Sequence, residues 1–140
     1  MATLYAANKT IERSITPSTI LSPGTFGGNV RCFIDTYTGL GTESASDVIQ
    51  FGPELPVGAK ILWGVINCVS MGGTPDLGDA DDVDRYVDEA ADNTATPFTD
   101  VLTGLGYEID GDDDQQLQLT LDAAVTAAGT ITVIVFYTVE

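Results

Sequence analysis

The carboxylates are the residues whose types and spacing could do chemistry. Asp110, Asp112 and Asp114 reproduce the Asp-x-Asp-x-Asp opening of a calcium-binding loop, in which alternate side chains converge on one cation. Gln115 then stands where that loop requires glycine, and Leu121 where it requires the chelating glutamate. The helix-flanked calcium loop is therefore excluded, which leaves adventitious divalent binding or a solvated hairpin turn. Asp76, Asp79, Asp81, Asp82 and Asp84 form a second cluster that could supply a general acid and a general base. Glycoside hydrolysis of that kind needs two carboxylates roughly 5 to 9 Å apart across a cleft, with aromatic rings to stack on the sugar. Tyr86 is the only aromatic nearby, so the competing reading is a solvated acidic face with Arg85 paired to a neighbouring aspartate. We expect no enzyme, no catalytic or metal-ligating set and no cofactor.

Other chemistry is excluded by composition. The chain has no histidine, which removes Ser-His-Asp triads, Cys-His pairs and the usual zinc sets built from its own residues. Gly24-Thr25-Phe26-Gly27-Gly28 is no phosphate loop, because it precedes a strand pattern and lacks lysine. Trp63, inside an apolar run, reads as core rather than as a ligand platform. Cys32 and Cys68 each fall in an apolar strand pattern, where free cysteine behaves as a small hydrophobe; the expectation is two buried thiols, with a disulfide between neighbouring strands as the alternative.

The 140 residues fit one domain with a real core. Asp plus Glu of 21 against Lys plus Arg of 5 gives a formal charge of −16. Such a surface repels phosphate, and Lys9, Arg13, Arg31, Lys60 and Arg85 are too scattered to displace counterions, so neither nucleic acid nor an anionic membrane is an expected partner. The first residues lack the basic and apolar regions of a signal peptide, and no run approaches the ~18 apolar residues of a membrane span. Synthesis in a cytoplasm is expected.

The elements that must position these residues follow from periodicity. Residues 1–25 read as an extended N-terminal arm, with Leu4, Tyr5, Ile11, Ile15, Ile20 and Leu21 isolated among polar residues, and 26–140 as a single domain. Asn29 to Thr38 is a strand whose two faces are both partly apolar, and Asp47 to Phe51 a short one. The run Gly58 to Ser70, entered through Pro56 and Gly58, is a central strand. The acidic segment admits a short helix capped by Asp79, with Val83, Tyr86, Val87 and Ala90 on one face, or a short strand at Arg85 to Val87 after a turn. Gly106 to Asp110 and Gln115 to Asp122 read as further strands, the latter with alternating leucines and one wet face. Thr130 to Val139, β-branched almost throughout, suits a strand buried on both sides. The fold class is mostly β: an antiparallel β-sandwich or jelly-roll-like barrel, with an extended N-terminal arm and at most one short helix.

Several short pieces, in order, resemble one family. They are Ala6-Ala7-Asn8-Lys9-Thr10, Leu21 to Arg31, Leu55 to Leu62, Leu77 to Tyr86, and the closing Val135-Phe136-Tyr137-Thr138-Val139-Glu140. Together they are similar to the head-decoration, or cement, proteins that tailed bacteriophages encode beside the major capsid protein. The resemblance spans nearly the whole chain and implies a structural virion protein made in the host cytoplasm. It would sit on the outer capsid surface, bind the major capsid protein and clamp neighbouring subunits. A homo-oligomer at a capsid symmetry axis accords with it. Contact with the shell is expected from the arm, at Leu4, Tyr5, Lys9, Ile11, Arg13 and Ile15; packing of the arm on its own domain is the alternative. Three other readings stay open: a phage tail or neck component, a carbohydrate-binding β-sandwich module, and a hydrolase using Asp79 or Asp81.

Overall fold

A computed structural model describes residues 29–98, 106–111 and 114–139. The arm of residues 1–25, with every contact residue expected on it, lies outside the described residues. Seven strands follow in chain order: β1 (Asn29–Thr38), β2 (Val48–Gln50), β3 (Lys60–Val69), β4 (Asp76–Gly78), β5 (Thr94–Pro97), β6 (Gln118–Thr120) and β7 (Thr130–Val139). No helix occurs among the described residues, and none there is long and apolar enough to cross a membrane.

Successive strands alternate between two layers. A four-stranded sheet has the order β1-β7-β3-β5, a three-stranded sheet the order β2-β6-β4, and every pairing is antiparallel. Each connection thus crosses from one sheet to the other, which is the winding of a jelly roll. β7 and β3 hold the two inner places of the larger sheet because they are the most continuously apolar and β-branched segments, suited to pairing on both edges.

The core fills the space between the layers. From the larger sheet Ile61, Ile66, Ile131, Val133 and Val135 point inward with no exposed surface, and they meet Ile49, Leu77 and Leu119 of the smaller sheet. Leu117, Leu119 and Leu121 are all buried while Gln118 and Thr120 are half-exposed, so the alternation read from the sequence sets the register of β6. Gly106 to Asp110 contributes less than a full strand. It holds the entrance to β3 through Ile109 N–H to the Ala59 carbonyl at 2.8 Å and Gly58 N–H to the Ile109 carbonyl at 2.8 Å.

The helix drawn through the acidic segment does not form. Asp79 does act as a cap, its Oδ1 accepting the amides of Asp81 and Asp82 at 3.1 and 3.0 Å, but the chain then reverses rather than winding on. The reason is tertiary. Tyr86 and Val87 donate their N–H groups to the Leu77 carbonyl at 2.9 and 3.0 Å, and Leu77 N–H returns a bond to the Val87 carbonyl, so the segment closes against β4. Val83, on the buried face of the helical reading, is 44% exposed. Of the competing expectation, a turn followed by a short strand at Arg85 to Val87, the turn is realised and the strand is reduced to a single bridge between Val87 and Leu77. Gly78 permits it, since a Cβ there would lie 2.0 Å from the Asp82 carbonyl oxygen.

Candidate functional site

The larger sheet has a second, outward surface, and the register determines what occupies it. Directly paired residues share a face. Cys32, Ile34 and Thr36 of β1 stand opposite Phe136, Ile134 and Thr132 of β7. Those in turn stand opposite Trp63, Val65 and Asn67 of β3. Pro97 and Ala95 of β5 complete the rows. No aspartate or glutamate occupies any of these positions, in a chain that has 21 of them. Val30, Ile34, Trp63 and Val69 are 60, 65, 43 and 38% exposed, so the middle rows are apolar as well as free of carboxylate, while the row of Val30 and Thr138 ends at Lys60, which is paired with Glu108 at 3.0 Å.

A β-bulge creates part of this face. Pairing of β3 with β7 slips between Ile61 and Trp63, leaving Leu62 as the extra residue. Regular alternation from Ile61, which points into the core, would send Leu62 out and Trp63 in. The bulge instead sends both outward, and Trp63 lies 5.6 Å from the ring centre of Phe136 on the outer surface. Trp63 is therefore not the core residue expected. The inward place passes to Gly64, where a Cβ would meet the Phe98 ring at 2.5 Å and the Ile134 carbonyl at 2.8 Å. Phe98, with no exposed surface and stacked on Tyr86, takes the volume that a tryptophan would have filled.

Two further expectations are corrected by the same geometry. Cys32 is exposed on the outer face, and only Cys68 is the buried thiol expected; both are free, so no disulfide joins them. Burial, with a smaller contribution from Asp92, pushes the Cys68 thiol up to about 12. β7 is buried on one side only, its outward Thr132, Ile134 and Phe136 remaining half-exposed. On this face the Thr36 and Thr132 hydroxyls bond each other at 3.0 Å, which satisfies one hydroxyl with the other rather than with water.

The carboxylates are used elsewhere, as loop fasteners. Asp79 is fully buried rather than solvated, and besides the two amides it binds Arg85 through Nε and, at 3.2 Å, Nη2. The pairing expected for Arg85 is thus realised, but inside the protein. The guanidinium also lies 3.8 Å over the Tyr107 ring, and Tyr107 OH donates to Asp114 at 3.0 Å. Asp114, buried too, accepts the amides of Asp110 and Gly111 at 2.8 and 2.9 Å. Burial alone would raise its pKa, and those donors outweigh that and hold it low. Burial and the Asp114 hydrogen bond push Tyr107 up to about 12.

This chain of contacts ties the turn after β4 to the loop before β6, with the oxygens of both buried aspartates directed at protein donors. No group of three or more His, Cys, Asp or Glu among the described residues could hold a metal ion. A cleft of about 210 Å³ beside the smaller sheet is lined by Gln50, Glu54, Gln115, Gln116 and Gln118 together with Ala80 and Gly111, with no aromatic ring. Gln115 and Gln116 donate to the Leu55 and Phe51 carbonyls, so two of these amides are tied to backbone.

Sequence reasoning did not find the outer face as a site. Its signal was present: β3 and β7 contain no acidic residue and β1 only Asp35, which turns inward to accept Gly52 N–H at 2.8 Å. The expected contact residues of the arm, Leu4, Tyr5, Lys9, Ile11, Arg13 and Ile15, lie outside the described residues.

No family model matches the chain, and no curated protein matches it. Among solved structures it is similar in fold to a chain of the cyanophage Pam1 capsid asymmetric unit. That likeness has a TM-score of 0.70 and 23% sequence identity, and covers 91% of this chain and 97% of the other.

Proposed function

We propose that this protein is a structural component of a tailed-phage virion, a cement or decoration protein that binds the outer surface of the capsid and stabilises contacts between major capsid protein subunits. The observation that carries the reading is the likeness in fold, over nearly the whole of both chains, to a chain of the cyanophage Pam1 capsid asymmetric unit. The ordered resemblance of the sequence to phage decoration proteins agrees with it. The role is mechanical and non-enzymatic, in keeping with aspartates spent on internal hydrogen bonds. A net charge of −16 suits a solvent-facing position rather than one against packaged DNA. The arm, through Leu4, Tyr5, Lys9, Ile11, Arg13 and Ile15, contacts the shell, and repetition over a symmetric lattice multiplies weak contacts into firm attachment.

Cryo-electron microscopy of the native particle tests the location: regular density over the capsid lattice is expected, and density confined to tail or neck overturns it. Deleting residues 1–20 should leave a folded domain that no longer binds heads depleted of the protein. Undiminished binding by the truncated chain would refute the arm's part.

A further inference from the structure

We infer that the cleft beside the three-stranded sheet is a receptor for an arginine side chain projecting from another protein. Its floor is one outward row of that sheet: Gln50 of β2 stands in line with Gln118 of β6, and Gln118 with Gly78 of β4. Ile49, Leu77 and Leu119, the neighbours along each strand, are buried in the core, so the row faces away from it. The turn after β4 crosses the Gly78 end, where a Cβ would lie 2.0 Å from the Asp82 carbonyl oxygen, and its Ala80 makes one wall. Gly111 and Gln115 make another. The two walls are held together by contacts already described, since Ala80 follows the Asp79 that binds Arg85, and Gly111 donates to the Asp114 that accepts from Tyr107. A site assembled before its ligand arrives loses less on binding.

What the cleft offers is mostly acceptors. Gln116 spends both amide N–H groups, on the Phe51 and Leu117 carbonyls at 2.8 and 3.2 Å, and Gln115 spends one on the Leu55 carbonyl at 3.0 Å. A backbone carbonyl only accepts, so nitrogen must face it and the oxygen of each amide is left over. The side chains of Gln50, Gln118 and Glu54 have no hydrogen-bonding partner among the described residues. Four amide oxygens and a carboxylate are therefore available, against the amide N–H groups of Gln50 and Gln118 and one of Gln115. A cation that only donates answers that surplus. Guanidinium presents five donors in one plane and no acceptor, whereas ammonium presents three on a strongly hydrated point charge. A sugar would bring acceptors with every hydroxyl, and a divalent cation would find one carboxylate where several are usual. The volume of about 210 Å³ is that of about seven waters at ~30 Å³ each, room for one guanidinium and the end of its stem.

Charge complementarity points outside the chain for the source of that group. Among the described basic residues Lys60 is paired with Glu108 at 3.0 Å, Arg85 is held by Asp79, and Arg31 lies on the other sheet. A chain of charge −16 draws basic partners from a distance, and the cleft gives that attraction a place to end.

The inference does not depend on the capsid reading, which puts shell contact on the arm: a cleft that ignores arginine would leave that reading standing, and one that takes it would not establish it. The test uses the full chain, isotopically labelled for NMR, in about 150 mM NaCl, where diffuse attraction is screened beyond ~8 Å. N-acetyl-arginine amide is titrated in beside its citrulline counterpart, which has nearly the same shape and no charge. The side-chain amide signals of Gln50 and Gln118 should shift and saturate in the millimolar range with arginine, and about tenfold more weakly with citrulline. Glu54→Gln should weaken arginine binding about fivefold, while Asp88→Asn, which removes the same charge from an exposed position outside the cleft, should leave it unchanged. Shifts that never saturate, citrulline bound as well as arginine, a methyl glycoside bound more tightly than either, or equal losses in the two variants each overturn the proposal. So does tighter binding by Lys9→Gln or Arg13→Gln, since the chain's own arm would then be the occupant. The comparison of arginine with citrulline decides the matter on the native chain even if a variant fails to fold.

Discussion

Without the guanidinium of Arg85, the fully buried Asp79 carboxylate would face only the amides of Asp81 and Asp82. Removing one partner of a buried ion pair is costly because the other charge stays behind, so Arg85→Leu should lower unfolding free energy by about 3 kcal/mol, measured by urea denaturation. Replacing Asp79 and Arg85 together by apolar residues should cost less than Arg85→Leu alone. A second residue gathers as many bonds at the surface. Glu43 accepts the Tyr37 hydroxyl and the amides of Leu40, Gly41 and Thr42 at 2.8, 2.8, 3.0 and 3.0 Å. The Leu40 amide, then the Tyr37 hydroxyl, lower its pKa from 4.5 to about 2. A lowered carboxyl adds stability above its unfolded pKa and loses it as pH falls through the folded value. The difference in urea midpoint between the native chain and Glu43→Gln should thus be full above pH 4.5 and close progressively toward pH 2.

At the scale of elements, β1, β3, β6 and β7 were readable as strands from local signals: alternating leucines in β6, β-branched residues in β7, turn residues at Pro56 and Gly58 before β3. Burial was read correctly only for β6, since β1 has no buried residue and β7 is buried on one side. Two things were not readable, for a common reason. Whether Asp79 begins a helix depends on Leu77 capturing Tyr86 and Val87, and whether Trp63 lies inside depends on a register slip against β7. Both are decided by a partner strand distant in sequence or by a turn closing on it, which local periodicity does not report. The face itself was hidden because apolar residues on both sides of a strand suggest two buried sides. The bulge makes a discriminating prediction. Deleting Leu62 should leave a regular ladder with Ile61 and Trp63 in their present places, so that variant should unfold within about 2 kcal/mol of the native chain, with Trp63 fluorescence still open to acrylamide quenching. Deleting Val65 instead reverses every following side chain of β3 and should abolish cooperative unfolding.

For the whole molecule, 21 acidic residues stand against five basic ones, and the middle rows of the larger sheet's outer face are free of carboxylate. Self-repulsion of this kind opposes compactness and is relieved by screening. The urea midpoint should therefore rise between about 10 mM and 200 mM NaCl, where screening grows; a midpoint that falls would show that the buried Asp79–Arg85 pair and its neighbours outweigh the repulsion. The carboxylate-free rows also set the exposed thiol and the tryptophan on one surface, with Cys32 and Trp63 on either side of Phe136. A dye coupled to that cysteine would therefore sit two strands from the single indole, close enough to drain its emission, and a loss of that transfer on heating would report this sheet coming apart.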